Sequence, residues 1–152
     1  MKIQDDLTKY ISTALNNTLP EKTKIKTRFH LLDAIVSILT GRLLPPGQKG
    51  FNFSKNQGGL EEATLLGNNI KVSAINAAFS NGMAAHANET DDSHTKGRFH
   101  PGCAIIPTTL AIAEKENLTS EEIFKGIALG YDVGVRFTTS LGYKTPKTSI
   151  FA

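Results

Sequence analysis

Apolar residues return at intervals of three and four through almost the whole chain, and this periodicity predicts an all-α fold, a bundle-like domain of about six helices. Ile3, Leu7, Tyr10, Ile11 and Leu15 form one stripe, which closes at Asn16-Asn17. Pro20 suits the first turn of a second helix, and Thr18 with Glu21 has capping-box spacing. That helix carries Leu31, Leu32, Ile35, Ile38 and Leu39 on one face and stops at Gly41. Residues 41–59, rich in Gly and Pro and without period, read as a long loop. Leu60–Leu66 fits a short helix broken by Asn68-Asn69, and Ile70-Lys71-Val72 is the one stretch with strand character. Ser73 caps an alanine-rich helix running from about Ala74 towards Asp92. A polar loop follows from Thr95 to Pro101, then a helix with Pro107 near its first turn or at a kink. Thr119 and Glu122 make a second capping box, ahead of a last helix whose Gly126, Gly130 and Gly134 fall on one stripe and imply a close helix neighbour.

The chain has 152 residues, enough for one domain with a core of its own. A net charge of +3 from scattered basic residues gives no nucleic-acid signature. The N-terminus lacks the apolar heart of a signal peptide, and no apolar run nears the roughly 20 residues that cross a bilayer, so a cytoplasmic, non-membrane protein is expected. The single cysteine, Cys103, excludes an internal disulfide and an iron–sulfur cluster held by this segment. No GxGxxG, Walker A or GxSxG pattern occurs. The ending, KTPKTSIFA, stops on apolar residues without a closing element, which reads as a chain shorter than the functional protein.

Chemistry concentrates in Asn81 to Gly102, NGMAAHANETDDSHTKGRFHPG, which holds three of the four histidines. If the helix continues past Asp92, then His86, Glu89 and Ser93 share a face at i, i+3 and i+7. His100 lies seven residues beyond Ser93, within a reach of about 24 Å, so it can fold back to them. A carboxylate beside imidazoles suits proton transfer next to a carboxyl group. Serine can hydrogen-bond a substrate carboxylate, and Arg98 or Lys96 can neutralise one. Each residue also has a structural reading. Asp91 and Asp92 could cap a helix end, His86 could be a satisfied core histidine, Lys96 a solvated charge, Cys103 a buried filler, and His100-Pro101-Gly102 only a turn. A metal site built from His86, Asp91, Asp92 and His94 matches no spacing with a mechanical rationale, so no metal is assigned.

This segment resembles the MmgE/PrpD family, which includes 2-methylcitrate dehydratase and cis-aconitate decarboxylase. The likeness rests on Asn81-Gly82, Ala85-His86, Glu89, Asp91-Asp92, Ser93-His94 and His100-Pro101-Gly102. It extends to Leu31-Leu32-Asp33-Ala34, to Ile106-Pro107 through Ala113-Glu114, and to Gly130-Tyr131-Asp132-Val133 with Arg136. It covers about residues 28–137, with Glu89 and Ser93 standing where family members carry Asp and Thr. The resemblance implies the N-terminal part of a large helical domain, spanning 1–152 here, with the family's α+β lid domain absent. It implies a homodimer needing no cofactor, and a cofactor-independent lyase, dehydratase or decarboxylase, acting on a small tricarboxylic acid. Glu89, Ser93 and His100 are then the expected catalytic residues, and Arg98, His86 and Asp92 the expected substrate-binding ones. Two alternatives stand beside it: an epimerase or racemase of an amino-dicarboxylate such as iminodisuccinate, and an inactive truncated module that only dimerises.

Overall fold

The computed structural model describes residues 2–141, so the KTPKTSIFA ending lies outside the described residues. Six helices occur among them: α1 Ile3–Asn16, α2 Glu21–Gly41, α3 Pro45–Gln57, α4 Ala74–Ala85, α5 Pro101–Glu116 and α6 Ser120–Ser140. Two two-residue strands, β1 Ala63–Thr64 and β2 Lys71–Val72, pair antiparallel with Ala63 opposite Val72. The fold is all-α. No helix of the described residues is long and apolar enough to cross a membrane.

α4 sits at the centre, packed by α5, α3 and α2. Its alanines make this possible: Ala74, Ala77, Ala84 and Ala85 are buried, and their small side chains bring three neighbours close. The glycine stripe of α6 does the same against α5. A Cβ on Gly126 would stand 3.2 Å from Thr109 Cγ2, and one on Gly130 would stand 2.8 Å from Ile105 Cγ2. Ala34, Ile106 and Ile127 close the core between α2, α5 and α6. The Thr119–Glu122 capping box forms as expected, with Thr119 N–H donating to Glu122 Oε2 at 2.7 Å.

Three local expectations fail, and a fourth is decided between its two alternatives. The stretch 41–59 is not a loop: Pro45 and Pro46 occupy the first turn of α3, where a missing N–H costs no helical bond. Its glycines serve packing. A Cβ on Gly47 would fall 2.3 Å from Gly41 O, and one on Gly50 would fall 2.9 Å from Met83 Cβ. Leu60–Leu66 is not helical, because tertiary partners claim its backbone. Glu114 accepts from Thr64 N–H at 2.7 Å, and Asn81 bridges Leu66 N–H and Thr64 O, both at 3.0 Å. Thr18 does not cap α2, which starts at Glu21 with Pro20 in the N-cap position. Pro107, expected near the first turn of α5 or at a kink, lies inside the helix. Its missing N–H leaves Cys103 O without a helical donor, and Gly82 packs there, where a Cβ would come within 2.9 Å.

Candidate active site

α4 ends at Ala85, not near Asp92, and two features of the segment that follows stop it. Asn88 turns its side chain out, donating from Nδ2 to Thr40 Oγ1 at 3.0 Å and accepting from Thr90 Oγ1 at 2.8 Å, so the helix loses that residue to a competing turn. Glu89 then adopts φ 57°, a left-handed conformation that costs a side-chain-bearing residue about 1–2 kcal/mol. The shared helical face expected for His86, Glu89 and Ser93 therefore does not exist.

What replaces it is a turn that folds both aspartates under the N-terminus of α5. Asp91, with a side chain only 1% exposed, meets His86 Nδ1 at 3.2 Å from each of its oxygens. His100, at the N-cap position of α5, brings its Nδ1 to 3.5 Å from Asp91 Oδ1, and its ring centroid lies 4.8 Å from that of His86. One buried carboxylate thus faces two imidazoles. With Nδ1 turned to Asp91, His86 presents Nε2 outward, 3.9 Å from Glu89 Oε1. Both side chains line an open cavity of about 690 Å³ walled by Phe79, Met83, Ala104 and Cys103.

Asp92 holds the other half of the turn. Its Oδ1 accepts from Gly102 N–H at 2.8 Å, in the first turn of α5, where the helix dipole favours an anion. Its Oδ2 accepts from Tyr131 OH at 2.7 Å and pairs with His30 Nδ1 at 3.0 Å. Burial raises the Asp92 pKa, but the bonds from His30, Tyr131 and Gly102 outweigh it and hold the group below the usual carboxylate value. The Tyr131 hydroxyl is pushed well above its ordinary range by burial and by its bond to Asp92, so it stays protonated as a donor. Asp92 therefore contributes stability that is complete above the ordinary carboxylate range and is lost as pH falls through its lowered folded value. Asp92→Asn should cost about 2 kcal/mol near pH 7 and flatten the acid limb of the stability curve, as read by denaturant unfolding at several pH values. An acid limb as steep as the parent's would remove Asp92 from that role.

Of the six residues expected at the site, the structure brings His86, Glu89 and His100 to one cluster around Asp91. Asp92 supports the turn instead, with its carboxylate taken up by His30, Tyr131 and Gly102. Ser93 is exposed and outside this network. Arg98 sits in the 95–98 turn at φ 51° and is not among the cavity walls, which carry no Lys or Arg among the described residues. His94 is spent on that turn, accepting from Gly97 N–H at 2.9 Å, so the grouping of His86, Asp91, Asp92 and His94 does not assemble. The donors that do converge are His86, Asp91 and Cys103, within 4.8 Å of one another, the arrangement here that could hold a cation. Burial, with Asp91 beside it, pushes the Cys103 thiol up to about 12, so it is no nucleophile near neutrality. The sequence does not single out Asp91 as the hub, nor His30 and Tyr131 as members of the site. Tyr131 meets Asp92 across 39 residues, and no local spacing announces that contact.

A helical domain that holds one buried carboxylate between two imidazoles, one of them on a cavity wall, defines a class by its architecture: an all-α scaffold without a strand-borne site. The chain belongs to the MmgE/PrpD family, whose N-terminal domain matches residues 5–151. That family is of the dehydratase or lyase type and is generally enzymatic. No curated protein matches the chain.

Proposed function

We propose that this chain carries the acid–base half of a cofactor-independent lyase, a dehydratase or decarboxylase of a small tricarboxylic acid such as 2-methylcitrate or cis-aconitate. The observation that carries it is the buried Asp91 holding His86 by Nδ1, with Nε2 aimed past Glu89 into the cavity. A carboxylate on one imidazole nitrogen fixes the tautomer and orients the other. In a dehydration, Glu89 takes the proton from the carbon next to a carboxyl group. The C–O bond breaks as His86, as imidazolium, gives its Nε2 proton to the departing hydroxide, which leaves as water. His100, whose buried Nδ1 approaches Asp91 at 3.5 Å, is assigned as a second imidazole for a substrate carboxylate. Ser93 and Arg98, both exposed, are assigned to the substrate's outer carboxylates. The protein works as a homodimer in the cytoplasm.

Incubation of the full-length protein with 2-methylcitrate, cis-aconitate and iminodisuccinate tests this. Water or carbon dioxide released from either tricarboxylate supports the lyase. Inversion of an amino-dicarboxylate instead replaces it with the epimerase. Failure with all three removes the substrate class.

A further inference from the structure

The acid–base chemistry leaves Cys103 unused, yet its sulfur stands with the cluster. His86, Asp91 and Cys103 offer ligand atoms that all lie within 4.8 Å of one another. Imidazole nitrogen, carboxylate oxygen and sulfur are the donors that zinc takes, whereas Mg²⁺ and Ca²⁺ want oxygen alone. The spacing fits as well. Bonds of about 2.0–2.3 Å to a tetrahedral zinc set neighbouring ligand atoms about 3.3–3.6 Å apart. His86 Nδ1 stands 3.2 Å from each Asp91 oxygen, and His100 Nδ1 stands 3.5 Å from Asp91 Oδ1. Edges of the tetrahedron are thus already set, and side-chain rotation closes the widest separation. His100 Nδ1 points to a ligand independently: it is buried and finds no hydrogen-bond partner among the described residues. Such an atom costs about 1–3 kcal/mol when left unpaired, and an ion between it and Asp91 satisfies it. His86 and Cys103 both line the cavity, which gives the ion a way in.

We infer that zinc binds here, held by His86 Nδ1, Asp91, Cys103 Sγ and His100 Nδ1, and that it acts as a reversible inhibitor. The ion ionises the thiol, whose proton leaves to solvent. The His86 proton moves from Nδ1 to Nε2. A carboxylate and a thiolate then cancel the two charges of the ion, so the filled site is neutral where it is buried. With four protein ligands no position stays open for water or substrate, which is the arrangement of a closed site and not of a catalytic one. Inhibition follows because His86, with Nδ1 on the metal, can no longer become an imidazolium. That part rests on the acid role given to His86 above; the binding of the ion does not.

Cobalt(II), which accepts the tetrahedral geometry of zinc and is coloured, tests the site. Titrated into the chelator-treated 152-residue chain, it should bind one ion per chain. It should give a near-ultraviolet thiolate-to-cobalt band and the intense visible bands of four-coordination, and zinc should bleach both. The chain has one cysteine, so the thiolate band identifies Cys103 without any variant. Cys103→Ser should lose that band and bind more than about tenfold more weakly. His100→Ala should keep it and change the visible bands. In turnover by the full-length protein, zinc should abolish activity and a chelator should restore it. Cys103→Ser, read against its own metal-free rate, should need more than about tenfold more zinc. A parent without the thiolate band overturns the site, whatever the turnover shows. Visible bands unchanged in His100→Ala overturn the four-ligand arrangement. A site that fills with no loss of turnover overturns the inhibition and, with it, the acid role of His86.

Discussion

Exchange of Asp91 for asparagine is expected to lower kcat of the full-length protein about 10³–10⁴-fold while the fold persists. The side chain keeps its volume, so no cavity opens at a position that is 1% exposed. What changes is the hydrogen-bond logic. The carboxylate accepts from His86 Nδ1–H and directs the Nε2–H of the imidazolium towards Glu89 and the cavity. An amide carries no negative charge to hold beside the imidazolium and can turn its NH₂ to the ring, which then loses its Nδ1 proton, and the acid is silenced. Long-range proton–nitrogen spectra of the imidazoles report the tautomer in the 152-residue chain itself, independent of turnover. The thiol of Cys103 offers a second readout. Its value of about 12 reflects burial first and Asp91 second, so the variant's thiol should titrate lower yet remain above the ordinary value of 9.0. The pH dependence of alkylation measures it. A variant that retains more than a tenth of parental kcat would show that the Asp91–His86 pair takes no part in the chemistry.

Glu89 should give the second large effect, with the opposite sign for stability. Glu89→Gln removes the base and should cost about 10²–10⁴ in kcat with KM little changed. Glu89→Gly should be equally inactive and also slightly more stable. The residue sits at φ 57°, where a side chain costs about 1–2 kcal/mol and glycine costs nothing. Against this stands the extra freedom glycine gives the unfolded chain, about 0.5–1 kcal/mol. The approach of Glu89 to His86, which glycine gives up, spans 3.9 Å with Glu89 54% exposed and is worth little in water. The balance is a gain of about 0.5 kcal/mol, measurable as a shifted denaturant midpoint. A glycine variant clearly less stable than the parent would mean that Glu89 is held for structure. A strained residue whose removal strengthens the fold is the signature of a position kept for function.

The two effects differ in how much of them is legible in the sequence. Glu89, His86 and His100 stand out as chemistry-bearing residues through their crowding and their likeness to the MmgE/PrpD pattern. The helical face that spacing offers for bringing them together does not form. Asp92 reads as a substrate ligand because the sequence cannot tell a carboxylate that faces a cavity from one that caps α5 at 2.8 Å. Asp91, its neighbour, reads as a helix cap for the same reason, though it is the hub of the cluster.

What the sequence decided alone is what depends on neighbours three or four residues away. The helical periods, the Thr119–Glu122 cap, the Ser73 cap and the close-packing glycines of α6 are of this kind, because a helix brings only such neighbours together. Pro45 to Gln57 misleads because the same glycines serve a loop or a tight helix contact, and only the approach of Met83 to Gly50 distinguishes them. The tertiary structure decided where α4 stops, since Asn88 leaves the helix for Thr40, 48 residues away. It decided that Tyr131 and His30 anchor Asp92, that Asp91 lies between two imidazoles, and that α2 leaves Leu32 and Leu39 exposed, although periodicity alone sets them on the face of Ile38. Each of these is a meeting of distant segments, fixed by which surfaces bury together, and local spacing carries no record of it.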